Sequence, residues 1–180
     1  MLGQGLGARV FGRTPPHCQQ LRASTSSPIR IVDTVIEINR MQWLAMVPKI
    51  EKPVAGDLAG QCVAVLGLAF KTETDDMRDA PSVDIVKALI ERGATVVAYD
   101  PASIAEAKVM FPISSMQPNE YEAAKGADAL VFVTEWNQFR ALDMQRIRQS
   151  MRVPRIANLR NIHTLSDMRE MGFEYVGVGR

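Results

Sequence analysis

A short apolar run from Val63 to Leu66 leads directly into a charged loop and then into a helix start at Pro81 and Ser82. A run of this length that ends at Gly67 is typical of a strand covered on both faces of a sheet. Pro81 suits the first turn of a helix, whose free N–H groups favour an anion. The pattern predicts a strand, a ligand-binding loop and a helix, with a nucleotide or sugar phosphate as the first candidate ligand.

The alternation of strands and helices continues to the end of the chain. Helical spacing ends at Arg92-Gly93, and Thr95 to Asp100 has the composition of a second strand. Further strands are predicted at Ala129–Val133, Arg155–Asn158 and Phe173–Gly177, with helices around Asn119–Lys125, Asp143–Ser150 and Ser166–Met171. This order predicts a Rossmann-like α/β fold, a parallel sheet with helices on both faces, whose ligands lie at the carboxyl ends of the strands.

Two residues suggest dinucleotide binding. Gly67 follows a strand, and Asp100 ends the next strand, as an acid that binds a ribose would. However, Gly67-Leu-Ala69 lacks the second glycine that lets the backbone approach a pyrophosphate, and a charged loop of about a dozen residues replaces the tight turn. The spacing therefore argues against NAD binding by this half of the chain.

Several separate segments resemble one enzyme family. They are GLAFKTETDDMRDAPS at 67–82, RGATVVAYDP at 92–101, GADALVFVTEWNQF at 126–139, LRNIHT at 159–164 and MGFEYVGVGR at 171–180. Together they closely resemble the C-terminal, UDP-binding domain of the UDP-glucose/GDP-mannose 6-dehydrogenase family. Within that family, Thr134-Glu135-Trp136 is most similar to the members that act on UDP-glucose, the UDP-glucose 6-dehydrogenases.

The resemblance implies an oxidoreductase that converts UDP-glucose to UDP-glucuronate and reduces two NAD. Family members carry an N-terminal Rossmann domain for NAD, a central long helix and a catalytic cysteine in a Gly-x-Cys-x-Pro-Lys-Asp motif. A chain of 180 residues has the length of one domain with an appendage. We expect residues 57–180 to be the UDP-sugar-binding domain, the NAD domain to be absent from this chain, and the chain alone to be inactive.

A long helix is predicted ahead of that domain, in residues 28–52. Ser27 is a good N-cap, and Pro28 suits the first helical position. Pro48 is expected to end an apolar stripe at helical spacing. The stripe consists of Ile29, Val32, Ile36, Trp43 and Val47. Asn39-Arg40-Met41-Gln42 also resembles the family's Asn-x-x-Gln segment. We expect a homodimer through residues 28–47, because an exposed stripe favours a partner; packing on its own domain is the alternative.

Residues 1–27 do not reproduce the catalytic motif. Val10-Phe-Gly12 resembles the Phe-Gly pair before the family's cysteine, but Pro15 then occupies the cysteine position. Cys18 is displaced and lacks the lysine and aspartate that should follow it. Since a thiolate must trap the aldehyde intermediate, we expect no catalytic residue in this chain, with Cys18 and His17 inert. Glycines and prolines interrupt the segment, which predicts a disordered or degenerate stretch rather than a transit peptide.

Composition argues against several other classes. The hydrophobic share of 47% is enough for one core, and a net charge of +1 argues against a nucleic-acid-binding surface. No apolar stretch has the length of a membrane span or of a secretory signal, which predicts a cytoplasmic protein with no membrane partner. No metal or cofactor site is predicted. Cys62, at the start of the first strand, is expected to be a small core residue.

Three residues are predicted to contact the ligand. Phe70 and Lys71 match the family's Ala-Phe-Lys, where the ring and ammonium lie against the UDP-sugar, and a lysine beside a helix N-terminus suits a diphosphate. Arg160 matches the arginine of the family's Asp-Gly-Arg-Asn segment, and a guanidinium can hold phosphate oxygens in pairs. Asn158-Leu159 replace Asp-Gly, and the missing glycine can alter the backbone that aims Arg160.

Other loop residues are expected to have structural roles. Asp75, Asp76 and Arg78 are predicted to lock the loop, because paired carboxylates would repel a diphosphate. Ser82 is predicted to cap the helix. Trp136 is predicted to pack rather than to stack on a uracil ring.

Three functions remain open on the sequence. The first is the nucleotide-sugar domain of a UDP-glucose 6-dehydrogenase that needs parts from a longer chain or another subunit. The second is a non-catalytic module for UDP-sugar binding or dimerisation. The third is an inactive fragment.

Overall fold

The computed structural model describes residues 34, 37–38, 41–42, 44–51, 57–78, 80–111 and 115–178. The chain divides into two compact units, Met1–Trp43 and Leu44–Arg180. The elements named below belong to the second unit.

One parallel sheet organises this unit. Its strands are β1 (Cys62–Leu66), β2 (Thr95–Tyr99), β3 (Ser115–Met116), β4 (Ala129–Phe132), β5 (Arg155–Asn158) and β6 (Glu174–Gly177). The spatial order is β3-β2-β1-β4-β5-β6, and Val63 of β1 pairs with Val96 of β2 and with Ala129 of β4. The strand order reverses between β1 and β4, so that a ligand crevice is expected at their carboxyl ends. The predicted Rossmann-like sheet is confirmed, and β3 is a strand that the sequence did not predict.

Short helices connect the strands. They are α1 (Val47–Glu51), α2 (Pro81–Glu91), α3 (Ile104–Met110), α4 (Glu120–Ala124), α5 (Asn137–Arg140), α6 (Met144–Ser150) and α7 (Leu165–Glu170). The sequence predicted α2, α4, α6 and α7, but not α3 or α5. Within the described part of the chain, no helix has both the length and the apolar character needed to cross a bilayer.

The helices cover both faces of the sheet, as predicted. Side chains alternate along a strand, so Val63 and Val65 of β1 pack with α1, α2 and α3 on one face. Ala64 and Leu66 pack with α4, α5, α6 and α7 on the other face. Because both faces are covered, β1 and β4 are apolar at nearly every position, which is the pattern the sequence showed.

The predicted helix of residues 28–52 lies partly outside the described residues. Thr34, Glu37, Ile38, Met41, Gln42 and Leu44 are helical. Pro48 was expected to end the apolar stripe, but it lies in the first turn of α1, after a turn at Ala45 and Met46, and the buried Ile50 follows it. A proline is tolerated there because its missing N–H would have no helical acceptor.

The apolar stripe of that helix is described at one position. Val47 is fully buried, and so is Ile50, and both pack in the core of this domain rather than facing a partner. Ile29, Val32, Ile36 and Trp43 lie outside the described residues. Self-association through residues 28–47 therefore stays a prediction.

Candidate functional site

The loop after β1 makes a close approach to the end of β4. Gly67 has φ of 88°, and its N–H donates to the Tyr99 carbonyl at 2.9 Å. A Cβ atom at Gly67 would lie 2.6 Å from the Thr134 Cβ and 2.8 Å from the Thr134 backbone nitrogen. Only glycine fits both the backbone conformation and the space, so the strand end and the loop are in contact at the switch point of the sheet.

The two predicted ligand residues of this loop differ in exposure. Phe70 is 6% exposed, while Lys71 is exposed and its ammonium lies 5.5 Å from the Phe70 ring centroid. No ion pair to Lys71 is formed by the residues that the structure describes. The buried ring therefore fixes the loop, and the lysine at its surface has an ammonium that an anion can reach.

The charged part of the loop is held by its own side chains. Asp76 Oδ1 accepts from the Arg78 Nε and the Arg78 backbone N–H, both at 3.0 Å. The Phe70 N–H donates to the Asp76 carbonyl at 2.9 Å. The predicted locking role of Asp76 and Arg78 is confirmed. Asp75 is exposed and lines a cleft described below.

Ser82 does not cap α2. The N-cap position is Ala80, which has no side-chain hydrogen bond, and Ser82 is fully buried one residue inside the helix. The Ser82 hydroxyl donates to the Leu68 carbonyl instead. Pro81 already occupies the first helical position, so the helix begins two residues earlier than a cap at Ser82 requires.

Arg160 lies against the end of β4, next to β1. Its Nε donates to the Val133 carbonyl at 2.9 Å, directly after the last residue of β4. Burial lowers the pKa of Arg160, and the negative charge of Glu135 opposes that shift. Arg160 follows β5 and Phe70–Lys71 follow β1, so both lie at the carboxyl edge of the sheet, with the end of β4 between them.

The replacement of Asp-Gly by Asn158-Leu159 leaves the turn intact. Asn158 is fully buried, and its Oδ1 accepts from the backbone N–H groups of Arg160 and Ile162 at 3.2 and 3.3 Å. Leu159 is not in the left-handed region that glycine would allow. The Asn158 side chain therefore holds the backbone at Arg160 and Ile162, and Leu159 adopts no conformation that requires a glycine.

Two buried polar residues at this edge were not predicted from the sequence to hold the loop after β1. Thr134 is 1% exposed and donates its hydroxyl to the Ala69 carbonyl at 2.8 Å. Asp100 is fully buried at the end of β2 and accepts a hydrogen bond from the Trp136 Nε1 at 3.3 Å. Trp136 packs in the core, as predicted. Only the position of Asp100 at a strand end could have indicated its importance.

A cleft of about 660 Å³ opens beside this edge. Its lining residues are Glu73, Thr74, Asp75, Pro101, Ala102, Trp136, Asn137 and Gln138. None of the three predicted ligand residues lines it. Two carboxylates at its wall, those of Glu73 and Asp75, would repel a diphosphate.

The other candidate groups of the sequence do not contribute to this edge. Cys62 begins β1 at the opposite edge, where it is a free, partly exposed thiol. Burial raises the pKa of Cys62, as does the Asp128 carboxylate, while the charge of Arg152 opposes that shift. His17 and Cys18 lie outside the described residues. Among the residues in the structure, no group of three or more potential ligands could hold a metal ion.

Comparisons with known proteins identify the family of this chain. The family model for the UDP binding domain of the UDP-glucose/GDP-mannose dehydrogenase family matches residues 64–164, which include Phe70, Lys71 and Arg160. The UDP-glucose 6-dehydrogenase of Rhizobium meliloti (strain 1021) is 39% identical over 178 residues, covering 99% of this chain and 41% of that protein. The UDP-glucose 6-dehydrogenase of Pseudomonas aeruginosa is 44% identical over 131 residues, covering 69% of this chain and 29% of that protein.

Solved structures give the same result for the fold. The UDP-D-ManNAc dehydrogenase of Pyrococcus horikoshii is 26% identical, with a TM-score of 0.65, over 87% of this chain and 35% of that chain. A UDP-glucose dehydrogenase of Pyrobaculum islandicum has a TM-score of 0.65 at 24% identity, over 88% of this chain and 34% of that chain. The chain thus spans well under half the length of these relatives.

Proposed function

This chain belongs to the UDP-glucose/GDP-mannose dehydrogenase family and carries its UDP-binding domain, and from this we propose that Lys71, Phe70 and Arg160 hold the UDP part of a nucleotide sugar at the carboxyl edge of the sheet. The observation that carries the proposal is the combination of an exposed lysine after β1, supported by a buried ring, with a partly buried arginine after β5 whose guanidinium contacts the end of β4, the strand next to β1.

The charges support a diphosphate as the anchored group. A compact ammonium such as that of Lys71 binds phosphate as a point charge, and no described carboxylate competes for it. Arg160 contributes a second positive charge that burial has partly removed from water. An anion is attracted more strongly by a charge in such a medium than by one in bulk water.

The nucleotide sugar that we propose is UDP-glucose. Relatives with 39% and 44% identity carry the name UDP-glucose 6-dehydrogenase. We infer that this domain serves the NAD-dependent oxidation of UDP-glucose to UDP-glucuronate, in which NAD accepts the hydrides. We expect no turnover by the 180-residue chain itself, because Cys18 lacks the motif residues of a catalytic thiol. NADH formation from UDP-glucose by this chain would overturn that expectation.

The proposal extends to assembly. We also propose that the chain self-associates through residues 28–47. Sedimentation of the purified chain as a monomer would contradict self-association.

Calorimetric titration of the purified chain with UDP-glucose tests the binding function. GDP-mannose and NAD serve as comparison ligands. We expect saturable binding of UDP-glucose, and Lys71→Ala should weaken it about tenfold or more, which corresponds to the loss of about 1.4 kcal/mol. Its thermal stability should stay unchanged, because Lys71 is exposed.

Lys125→Ala is the matched control. Lys125 is also an exposed lysine, but it follows α4 at the opposite edge of the sheet and pairs with Glu122 at 3.6 Å. This variant should bind as the wild type does. Equal losses in both variants would mean that only the net charge matters. No heat with any ligand would refute the binding function for this chain.

A further inference from the structure

Asp100 is a carboxylate without solvent contact whose two oxygens are both occupied. Its Oδ2 accepts from the backbone N–H groups of Leu68 and Ala69 at 2.7 and 3.0 Å, and from the Trp136 Nε1 at 3.3 Å. Its Oδ1 accepts from the N–H groups of Ala102 and Ser103, both at 2.9 Å. One side chain thus joins the loop after β1 to the start of α3.

These contacts exclude the role that the position of Asp100 suggested. An acid that binds a ribose needs an oxygen directed at the ligand. A carboxylate offers about four lone-pair sites, and five donors already surround Asp100. Asp100 therefore cannot contact a ribose without releasing the protein backbone.

The backbone that Asp100 holds leads directly to the proposed binding residues. Leu68 and Ala69 immediately precede Phe70 and Lys71 in the chain. Their carbonyl groups are held as well, by the hydroxyls of Ser82 and Thr134. The N–H groups and the carbonyl groups of this short segment are both anchored, but only Asp100 contributes a charge to the anchoring described here.

The hydrogen-bond donors around Asp100 stabilise its ionised form. Burial by itself would raise the pKa of Asp100, but four backbone hydrogen bonds outweigh it and hold the pKa below its ordinary value of 3.8. The group therefore stays ionised at neutral pH. An asparagine could accept from only one side, because its NH₂ group would face N–H donors on the other.

We propose that Asp100 is the positioning residue that fixes the Phe70–Lys71 loop in its ligand-binding geometry. This role rests on the proposed function, since it acts through Lys71 on the bound diphosphate. Asp100 follows β2, whereas the loop follows β1, so one carboxylate connects two segments that are distant in the sequence. A loop that lacked this anchor would have to be ordered when the ligand binds, at a cost in affinity.

Asp100→Asn and Asp128→Asn form a matched pair for the test. Asp128 is also a buried carboxylate that holds a β1 backbone N–H, that of Cys62 at 2.8 Å, but it lies at the opposite edge of the sheet. Both variants should lose thermal stability. Only Asp100→Asn should weaken UDP-glucose binding, by about fivefold or more, and speed amide hydrogen exchange at Leu68 and Ala69 by about tenfold or more.

The outcomes separate the two proposals. Wild type without UDP-glucose binding defeats the proposed function, and the positioning role with it. Wild-type affinity in a folded Asp100→Asn protein defeats the positioning role alone, as does unchanged exchange at Leu68 and Ala69. Equal losses of affinity in Asp100→Asn and Asp128→Asn would also overturn it, because they would reflect stability only.

A measurement on the wild-type protein covers the case in which Asp100→Asn does not fold. Amide protons that share one carboxylate respond together when it takes up a proton. The NMR shifts of Leu68, Ala69, Ala102 and Ser103 should therefore titrate with a common midpoint below pH 3.8. Independent midpoints would overturn the link.

Discussion

Among the described residues, one buried aspartate lies at the carboxyl edge of the sheet and one at the amino edge, and the two make different contacts. At the carboxyl edge, Asp100 is fully buried and accepts only N–H groups in its described hydrogen bonds. At the amino edge, Asp128 accepts the Cys62 N–H and pairs at 2.9 Å with Arg152, whose side chain is 60% exposed. The first carboxylate organises a loop, whereas the second fastens a strand to a surface cation.

The connections at the two edges differ in the same way. At the amino edge, turns are joined by backbone hydrogen bonds, such as Gly60 N–H to Gly93 at 3.0 Å and Gly126 N–H to Ser150 at 2.8 Å. At the carboxyl edge, the side chains of Asp100, Ser82 and Thr134 hold the loop backbone. Buried side chains hold this long loop on its inner side, so its outer surface stays accessible to a ligand.

The largest expected difference between the two edges is in the stability lost when a glycine is replaced by alanine. Gly67→Ala should destabilise the protein by about 3 kcal/mol or more, because its Cβ would meet the Thr134 backbone and φ is positive. Gly60→Ala, at the amino edge, has φ of 73° but nothing within 4 Å of the new Cβ, and should cost about 1 kcal/mol. Denaturant unfolding of both variants measures this, and similar midpoints would contradict the close approach at Gly67.

A smaller difference is expected between a buried hydroxyl group at the carboxyl edge and a half-buried one at the amino edge. Thr134→Val removes the donor to the Ala69 carbonyl in a site that is 1% exposed, and should cost about 1–2 kcal/mol. Ser150→Ala removes a donor to the Ile147 carbonyl, which also accepts the Met151 N–H. This change should cost about 0.5 kcal/mol or less. Thermal unfolding compares the two, and a costlier Ser150→Ala would argue that the carboxyl-edge loop does not depend on Thr134.

The smallest effect is expected at the amino-edge ion pair. Arg152→Ala should cost about 1 kcal/mol or less, because water screens a side chain that is 60% exposed. UDP-glucose affinity should not change, since Arg152 and Asp128 lie away from Lys71 along the strands. Titration of this variant beside Lys71→Ala tests whether stability and binding separate by edge. A loss of affinity in Arg152→Ala would break that separation.

Most of the fold could be predicted because its signals are local. Apolar runs such as Val63–Leu66 and Ala129–Phe132 marked strands covered on both faces, and Pro81 marked a helix start. The missed elements have weak local signals. β3 has two residues, and α3 buries only Ala107 among its side chains, so neither carries a periodic apolar pattern.

The site was predicted in part. Phe70, Lys71 and Arg160 were identified by resemblance to a family, and the comparisons support the family itself. The structural roles of Asp100 and Thr134 were not predicted, and Ser82 was wrongly expected to be a cap. Each of these three side chains hydrogen-bonds the backbone of the loop after β1. Two of them lie on other strand ends, at sequence separations that no local pattern encodes.

The sequence by itself determined the strands, most of the helices and the family, because these depend on residue spacing and on motifs that are read along the chain. The tertiary structure alone decided which groups distant in the sequence share a hydrogen bond. Asp100 anchors the loop, rather than a ribose, because the β1–β2 pairing brings its carboxylate to the N–H groups of Leu68 and Ala69. The donors around a buried charge are those that the tertiary structure brings within hydrogen-bond distance, and the spacing of residues along the chain does not show which they are.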